Sequence, residues 1–150
     1  MKTIQVSNGD IVLSNGSPQF LTGQNKLVQD IRLWLQEPLG TGYTTPGFGS
    51  LLSGMVGQAQ SSGIASKIQS EVLRVLQLYQ GQQVLNLQTA QNSAQLSYYN
   101  KSEIIQSIDS VSISLQQTTV IANVLITTLA NSSVNLNIFI NSNGVSVNNG

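Results

Sequence analysis

The chain has 150 residues, six Lys plus Arg against six Asp plus Glu, a formal charge of zero, and neither His nor Cys. That composition excludes Cys- or His-ligated metal centres, disulfides, Ser-His-Asp and Cys-His catalysis, and any imidazole pH switch. Charged residues make up 8% of the chain, against roughly 25% in ordinary domains, which argues against nucleic acid or an anionic membrane as an electrostatic partner.

The polar surface comes from amides and hydroxyls instead, with 20 Ser, 18 Gln, 14 Asn and 10 Thr. An apolar fraction of 40% suffices for a core, so residues 1–150 read as one domain. Little charge repulsion keeps neighbours apart, as expected of a part in a larger assembly. No apolar stretch near the start resembles a signal sequence and none reaches spanning length, so use in a soluble compartment is expected.

In chain order, the apolar runs Ile4 to Val6 and Ile11 to Leu13 flank Asn8-Gly9, a strong turn signal, and predict a small N-terminal hairpin. Thr22 is placed to cap a helix whose apolar positions Leu27, Val28, Ile31, Trp34 and Leu35 recur at helical spacing. It should stop by Gln36 or Glu37, because Pro38 disfavours helical geometry in the residue before it. From Pro38 to Gly63 the sequence reads as a structured, glycine-rich loop. Ser61 or Ser62 would then cap a second helix with Ile64, Ile68, Val72, Val75, Leu76 and Tyr79 on one face. Gly81 is the expected break before a third stretch, Gln82 to Tyr99.

Ser102 followed by Glu103, Ile104, Ile105 and Ile108 suggests a last short helix, after which the apolar period falls to two. Val111, Ile113 and Leu115 alternate with polar residues, Val120 to Leu129 is β-branched, Val134 to Ile140 alternates again, and Val145 and Val147 follow Asn143-Gly144. The expected fold is therefore α+β: an N-terminal hairpin and helices followed by a small antiparallel C-terminal β-meander. No long internal repeat or coiled-coil heptad array is read. The strand from Val134 to Asn141 lacks any Lys, Glu or Pro gatekeeper, and an unprotected edge invites pairing with another chain.

Candidate chemistry is sparse. A glycosidase needs two carboxylates about 5 to 9.5 Å apart, and Asp10, Asp30, Glu37, Glu71, Glu103 and Asp109 are scattered along the chain. Asp30 near Arg32 and Glu71 near Arg74 read as weakly paired helix charges. The glycines from Gly40 to Gly57 follow no phosphate-loop pattern and have no nearby cation. Trp34, Tyr43 and Phe48 could stack a ligand, but Trp34 on an apolar face reads as core. No catalytic residue, cofactor or metal is expected.

Gly23, Leu27, Gln29, Ile31 and Leu35, followed by Gly42-Tyr43-Thr44-Thr45-Pro46-Gly47-Phe48-Gly49-Ser50-Leu51-Leu52, resemble the baseplate wedge, or sheath-initiator, family of contractile phage tails. That family is related to a wedge component of type VI secretion baseplates. Ile108, Val111 and Ile113 fall where it enters its first C-terminal strand. Its usual Glu-Pro-Arg before that strand is replaced by Ile105, Gln106 and Ser107, so the charge-assisted clamp is absent. The stretch from Gln80 to Asn100 also exceeds the usual connection.

The resemblance implies a non-enzymatic structural adaptor of the virion, made in the host cytoplasm and present as six copies around the tail tube. Its partners would be the sheath protein, baseplate wedge proteins and the tail tube, with neither nucleic acid nor membrane involved. Strand addition to sheath arms is expected along Val120, Ala122, Val124, Ile126, Val134, Leu136, Ile138 and Ile140. Wedge contact is expected at Pro46, Phe48, Ile105, Gln106 and Ser107. The rival readings are a lysozyme-like cell-wall hydrolase using a carboxylate pair and a self-assembling, adhesive β-rich subunit outside any phage.

Overall fold

A computed structural model describes residues 1–57 and 62–150. It shows an α+β architecture in which two helices, α1 (Gly23–Gln36) and α2 (Ile64–Asn92), lie against a four-stranded antiparallel sheet. The sheet comprises β7 (Ile105–Gln116), β8 (Thr119–Thr128), β9 (Ser133–Asn141) and β10 (Gly144–Asn149), in the order β10-β9-β8-β7. Leu27, Ile31 and Leu35 of α1 and Ile68, Val72, Val75 and Leu76 of α2 meet one sheet face in a single core. That face is built from Val120, Ala122, Val124 and Ile126 of β8, with Val134, Leu136, Ile138 and Ile140 of β9. The period of two sends these residues inward and the intervening ones outward, mostly Asn and Thr but also Ile121, Leu125 and Phe139.

The N-terminal residues form more than one hairpin. Six two-residue strands, β1 (Thr3–Ile4), β2 (Val6–Ser7), β3 (Asp10–Ile11), β4 (Leu13–Ser14), β5 (Ser17–Pro18) and β6 (Phe20–Leu21), pair as β2 with β3, β4 with β5, and β1 with β6. The sequence underneath is three seven-residue units: Thr-Ile-Gln-Val-Ser-Asn-Gly from Thr3, Asp-Ile-Val-Leu-Ser-Asn-Gly from Asp10, and Ser-Pro-Gln-Phe-Leu-Thr-Gly from Ser17. Their middle residues close a ring: Gln5 N–H donates to Gln19 C=O, Gln19 N–H to Val12 C=O and Val12 N–H to Gln5 C=O, at 2.8 to 2.9 Å. The units turn at Asn8-Gly9, Asn15-Gly16 and Gly23, where φ is positive. The units carry an apolar period of seven, with Ile4 and Ile11 at one position and Val6, Leu13 and Phe20 at another, but they span only residues 3–23 and make no long repeat.

α1 spans the expected residues, with Thr22 at its N-cap position but no hydrogen bond from the Thr22 side chain. The first helical N–H, that of Gly23, donates instead to Glu103 Oε1 at 2.8 Å, a cap supplied from 80 residues away. α2 runs unbroken through Gly81 for 29 residues, so the expected break and separate third helix are absent. An interior glycine costs a helix only about 1 kcal/mol, which the surrounding helix formers absorb. Gly63, with φ +76°, occupies the N-cap position of α2 with no side-chain cap, not Ser62; the expected alternative, Ser61, lies outside the described residues.

The expected helix after Ser102 is also absent: a single 3-10 turn, Lys101–Glu103, leads directly into β7. Ile105, Ile108 and Val111 pair with Thr128, Ile126 and Val124, with register shifts between Ile105 and Ser107 and between Ile108 and Ser110. Each bulge inserts one extra residue, so core positions recur every three residues and imitate helical spacing.

Candidate functional site

The strands expected to bind the sheath are not at an edge of the sheet. β8 is paired on both sides, with β7 and β9, and β9 likewise with β8 and β10. Val120, Ala122, Val124, Ile126, Val134, Leu136, Ile138 and Ile140 are all buried in the core. Their backbones have no free edge and their side chains no access, so the assignment of strand addition to these residues is corrected. The sheet borders are β7 and β10.

Alternation fixes which groups of β7 face outward. Gln116 and Thr119 flank a two-residue turn, so Ser114, Ser112 and Ser110 exchange hydrogen bonds with β8, and Leu115, Ile113 and Val111 direct N–H and C=O away from it. At its start this border is covered by side chains of α2. Gln83 Oε1 accepts the Ile105 N–H at 2.9 Å while its Nε2 donates to Glu103 C=O at 2.7 Å. Gln80 Nε2 donates to Gln106 C=O at 3.0 Å, and Gln69 Nε2 to Val111 C=O at 2.8 Å. Gln69, Gln80 and Gln83 share one helical stripe, at spacings close to whole turns. Ile113 and Leu115 lie past the last of these glutamines, and among the described residues nothing covers their outward main-chain groups.

The other border is closer to α1. Gln36 Nε2 donates to the outward Val145 C=O at 3.1 Å, and α1 packs against β10. By the same alternation Val147 and Asn149 of β10 direct N–H and C=O outward with no hydrogen-bond partner among the described residues, but Val147 is buried where Leu115 is exposed, so the more accessible open segment is the end of β7. A glutamine stripe beside the apolar stripe of α2 was the sequence signal for this arrangement, but it says nothing by itself about which strand the amides meet.

The expected wedge residues have separate surroundings. Pro46 is exposed, whereas Phe48 is half-buried, its ring 4.6 Å from that of Trp34, which also meets Tyr79 at 6.1 Å. Ile105 is buried, which corrects its assignment as a contact residue. Gln106 is exposed with its carbonyl held by Gln80, and the Ser107 hydroxyl donates to Asp109 at 2.6 Å. Tyr43 is fully exposed, so the three aromatics make no common platform.

Five of the carboxylates, those of Asp30, Glu37, Glu71, Glu103 and Asp109, are engaged by protein donors. Glu71 is only 5% exposed; Arg74 donates to both of its oxygens and Leu51 N–H adds a bond at 2.7 Å. Burial alone would raise its pKa, but the Arg74 and Leu51 hydrogen bonds outweigh it and leave Glu71 below the ordinary carboxylate value. Arg74 is the partner expected from sequence, but the carboxylate is buried and held by several donors, not solvated or weakly paired. Asp30 pairs with Lys26, not Arg32, and accepts the Tyr79 hydroxyl at 2.9 Å. Burial first, then the Asp30 charge and hydrogen bond, push the Tyr79 phenol strongly upward. Arg32 donates to Val6 C=O at 2.6 Å, and Glu37 accepts from the Thr41 hydroxyl at 2.7 Å.

A second exposed feature went unread in the sequence. Register and alternation put Ile4, Val6, Ile11, Leu13, Pro18 and Phe20 on one face of the N-terminal triple unit. Ile11, Leu13 and Phe20 are each more than half exposed, a concentration of apolar surface typical of interaction sites. The unit is tied to α1 by Gln29, whose Nε2 donates to Ile4 C=O and whose Oε1 accepts Val6 N–H, both at 2.8 Å.

No helix among the described residues is long and apolar enough to cross a membrane. Comparisons with protein-family models, with curated proteins and with solved structures find no match to this chain.

Proposed function

We propose that this chain is a non-enzymatic structural adaptor of a contractile-tail baseplate, joining wedge proteins to the first ring of sheath subunits in the virion. In this reading, a sheath arm adds as a fifth strand beside the end of β7, along Ile113 and Leu115. The observation that carries it is the unequal covering of that border: α2 glutamines bond to main-chain groups of Ile105, Gln106 and Val111, and among the described residues none bonds to those of Ile113 or Leu115. Backbone pairing suits such a coupling because it tolerates changes in side-chain identity. The exposed apolar face around Leu13 and Phe20 serves as the seat on the wedge. The order of motifs from Gly23 to Ile113 supports the baseplate assignment. The engagement of Asp30, Glu37 and Glu71 by protein donors weighs against the hydrolase reading.

Leu115→Pro tests this reading, because it deletes an outward N–H and leaves the ladder to β8 intact. Leu115 is 55% exposed, so the substitution removes little packing. The folded variant, checked by circular dichroism and added to an assembling tail, should fail to start sheath polymerisation. Normal sheath length with the folded variant would refute strand addition at β7.

A further inference from the structure

The sheet face turned away from the helices has an unusual composition. Across β7 to β10 it presents rows of hydroxyls and amides, one of them running Ser112, Asn123, Asn137 and Asn148 across all four strands. The neighbouring row is Ser114, Ile121, Phe139 and Ser146. Phe139 and Ile121, directly opposed on the two interior strands, floor an open depression of about 630 Å³. Its rim is formed by Gln116, Gln117, Thr119, Asn141, Ser146 and Asn148, and no charged side chain lines it.

We propose that this depression binds a neutral oligosaccharide. A sugar ring has one face of polarised C–H groups and a perimeter of hydroxyls that both donate and accept. The half-buried Phe139 ring, with its negative quadrupole face, and Ile121 beside it form an apolar floor for the C–H face. Around that floor each Gln and Asn amide offers two donors and an accepting oxygen, and each Ser and Thr hydroxyl can do either. The side chains of Gln116, Gln117, Thr119, Ser146 and Asn148 make no hydrogen bond to any described residue, so they are available to a ligand.

Chemistry narrows the ligand further. With no Lys or Arg in the lining, a phosphate or carboxylate would lose hydration without gaining a partner, which disfavours nucleotides and acidic glycans. The floor lies on β8 and β9, each paired on both sides, so little ordering accompanies binding. The depression is open, and the expected affinity is accordingly in the millimolar range, on the order of 1 mM.

The test is a two-dimensional NMR titration of the full chain with chitotetraose, maltotetraose and cellotetraose. At least one should shift the Gln116 and Asn148 side-chain amides and the Ile121 and Phe139 backbone amides, saturably and together. Phe139→Ala should weaken that binding by about tenfold or more, Phe139→Tyr should retain it, and dispersion of the remaining signals should show both variants folded. The inference is overturned if none of the three sugars gives a saturable shift at roughly 20 mM, if the shifts map to Trp34 and Phe48, or if Phe139→Ala binds equally well. Concentration-dependent shifts of the same face, insensitive to sugar, would reassign it to contact with a second copy and likewise overturn the sugar site.

Discussion

Leu51 gives its backbone N–H to the Glu71 carboxylate at 2.7 Å, joining the glycine-rich loop to the N-terminal third of α2. Arg74 completes the constellation from the next turn of the same helix, donating to both carboxylate oxygens and, at 3.4 Å, to the Gly49 carbonyl. The loop is thus held by a charge that is itself buried and neutralised. Glu71→Gln weakens the Arg74 pairing and replaces an acceptor oxygen with a donor, so urea denaturation should show a loss of about 2 to 3 kcal/mol at pH 7.

The same contact sets a pH dependence. The folded-state pKa of Glu71 lies below its ordinary value of 4.5, so its stabilising effect is complete above that value and is lost as pH falls through the lowered one. Wild type should therefore lose stability on acidification in this range, and Glu71→Gln should lose less. Parallel curves for the two proteins between pH 6 and roughly pH 3 would exclude Glu71 as a source of the acid sensitivity.

Gly49 explains why an aromatic-Gly pair follows Pro46. Its φ of +110° is accessible only to glycine without strain, and a Cβ there would stand 2.6 Å from the Glu37 carbonyl oxygen. That close approach lets Ser50 N–H reach Glu37 C=O at 2.8 Å and the Ser50 hydroxyl reach Leu35 C=O at 2.6 Å, closing the end of α1. Gly49→Ala must push the loop off α1, with an expected cost of about 2 kcal/mol or more in chemical denaturation. Gly47→Ala, where nothing lies within 4 Å, provides the control and should cost far less.

These contacts also explain how far the sequence could be read. α1 was legible because Leu27, Ile31 and Leu35 keep one helical period and Pro38 ends it; the meander was legible because β8 and β9 keep a period of two. Two bulges disguised the start of β7, and Gly81 looked like a boundary that its neighbours in α2 override. Strand order was beyond local pattern altogether: Val134 to Ile140 alternates identically whether β9 lies at a border or inside. The polar partners of Gln29, Glu71 and Glu103 were invisible for a related reason, since each reaches a backbone group 20 or more residues away.

Gln29 shows how one such contact can govern a whole unit. Its side-chain amide bonds to Ile4 and Val6 as a strand residue would, extending the ladder of the N-terminal triple unit onto α1. Gln29→Leu keeps the volume and helix propensity but leaves the Val6 N–H without this acceptor, so about 1 to 3 kcal/mol of anchoring should be lost. Because the triple unit closes its own ring of hydrogen bonds, detachment should precede unfolding. Hydrogen exchange should therefore accelerate at Val6 while the amides of β8 and β9 stay protected. Equal acceleration across the sheet would show that the unit and the core unfold together.

The covering of β7 by glutamines leads to the last prediction. Gln69 closes the Val111 carbonyl and Gln83 closes Ile105 N–H, so these two amides limit how much of the border another chain can pair with. Replacing both by Ala lengthens the open border back from Ile113 toward Ile105, on a strand whose only charge is the exposed Asp109. Longer unpaired edges associate more readily. Light scattering should detect concentration-dependent oligomers for the Gln69→Ala/Gln83→Ala variant under conditions where wild type scatters as a smaller species. Adding Leu115→Lys, which places a charge on the exposed end of the same strand, should reverse the effect. Oligomers that persist with the lysine present would locate the association away from β7, and the glutamines would then be stabilising α2 against the sheet without guarding its edge.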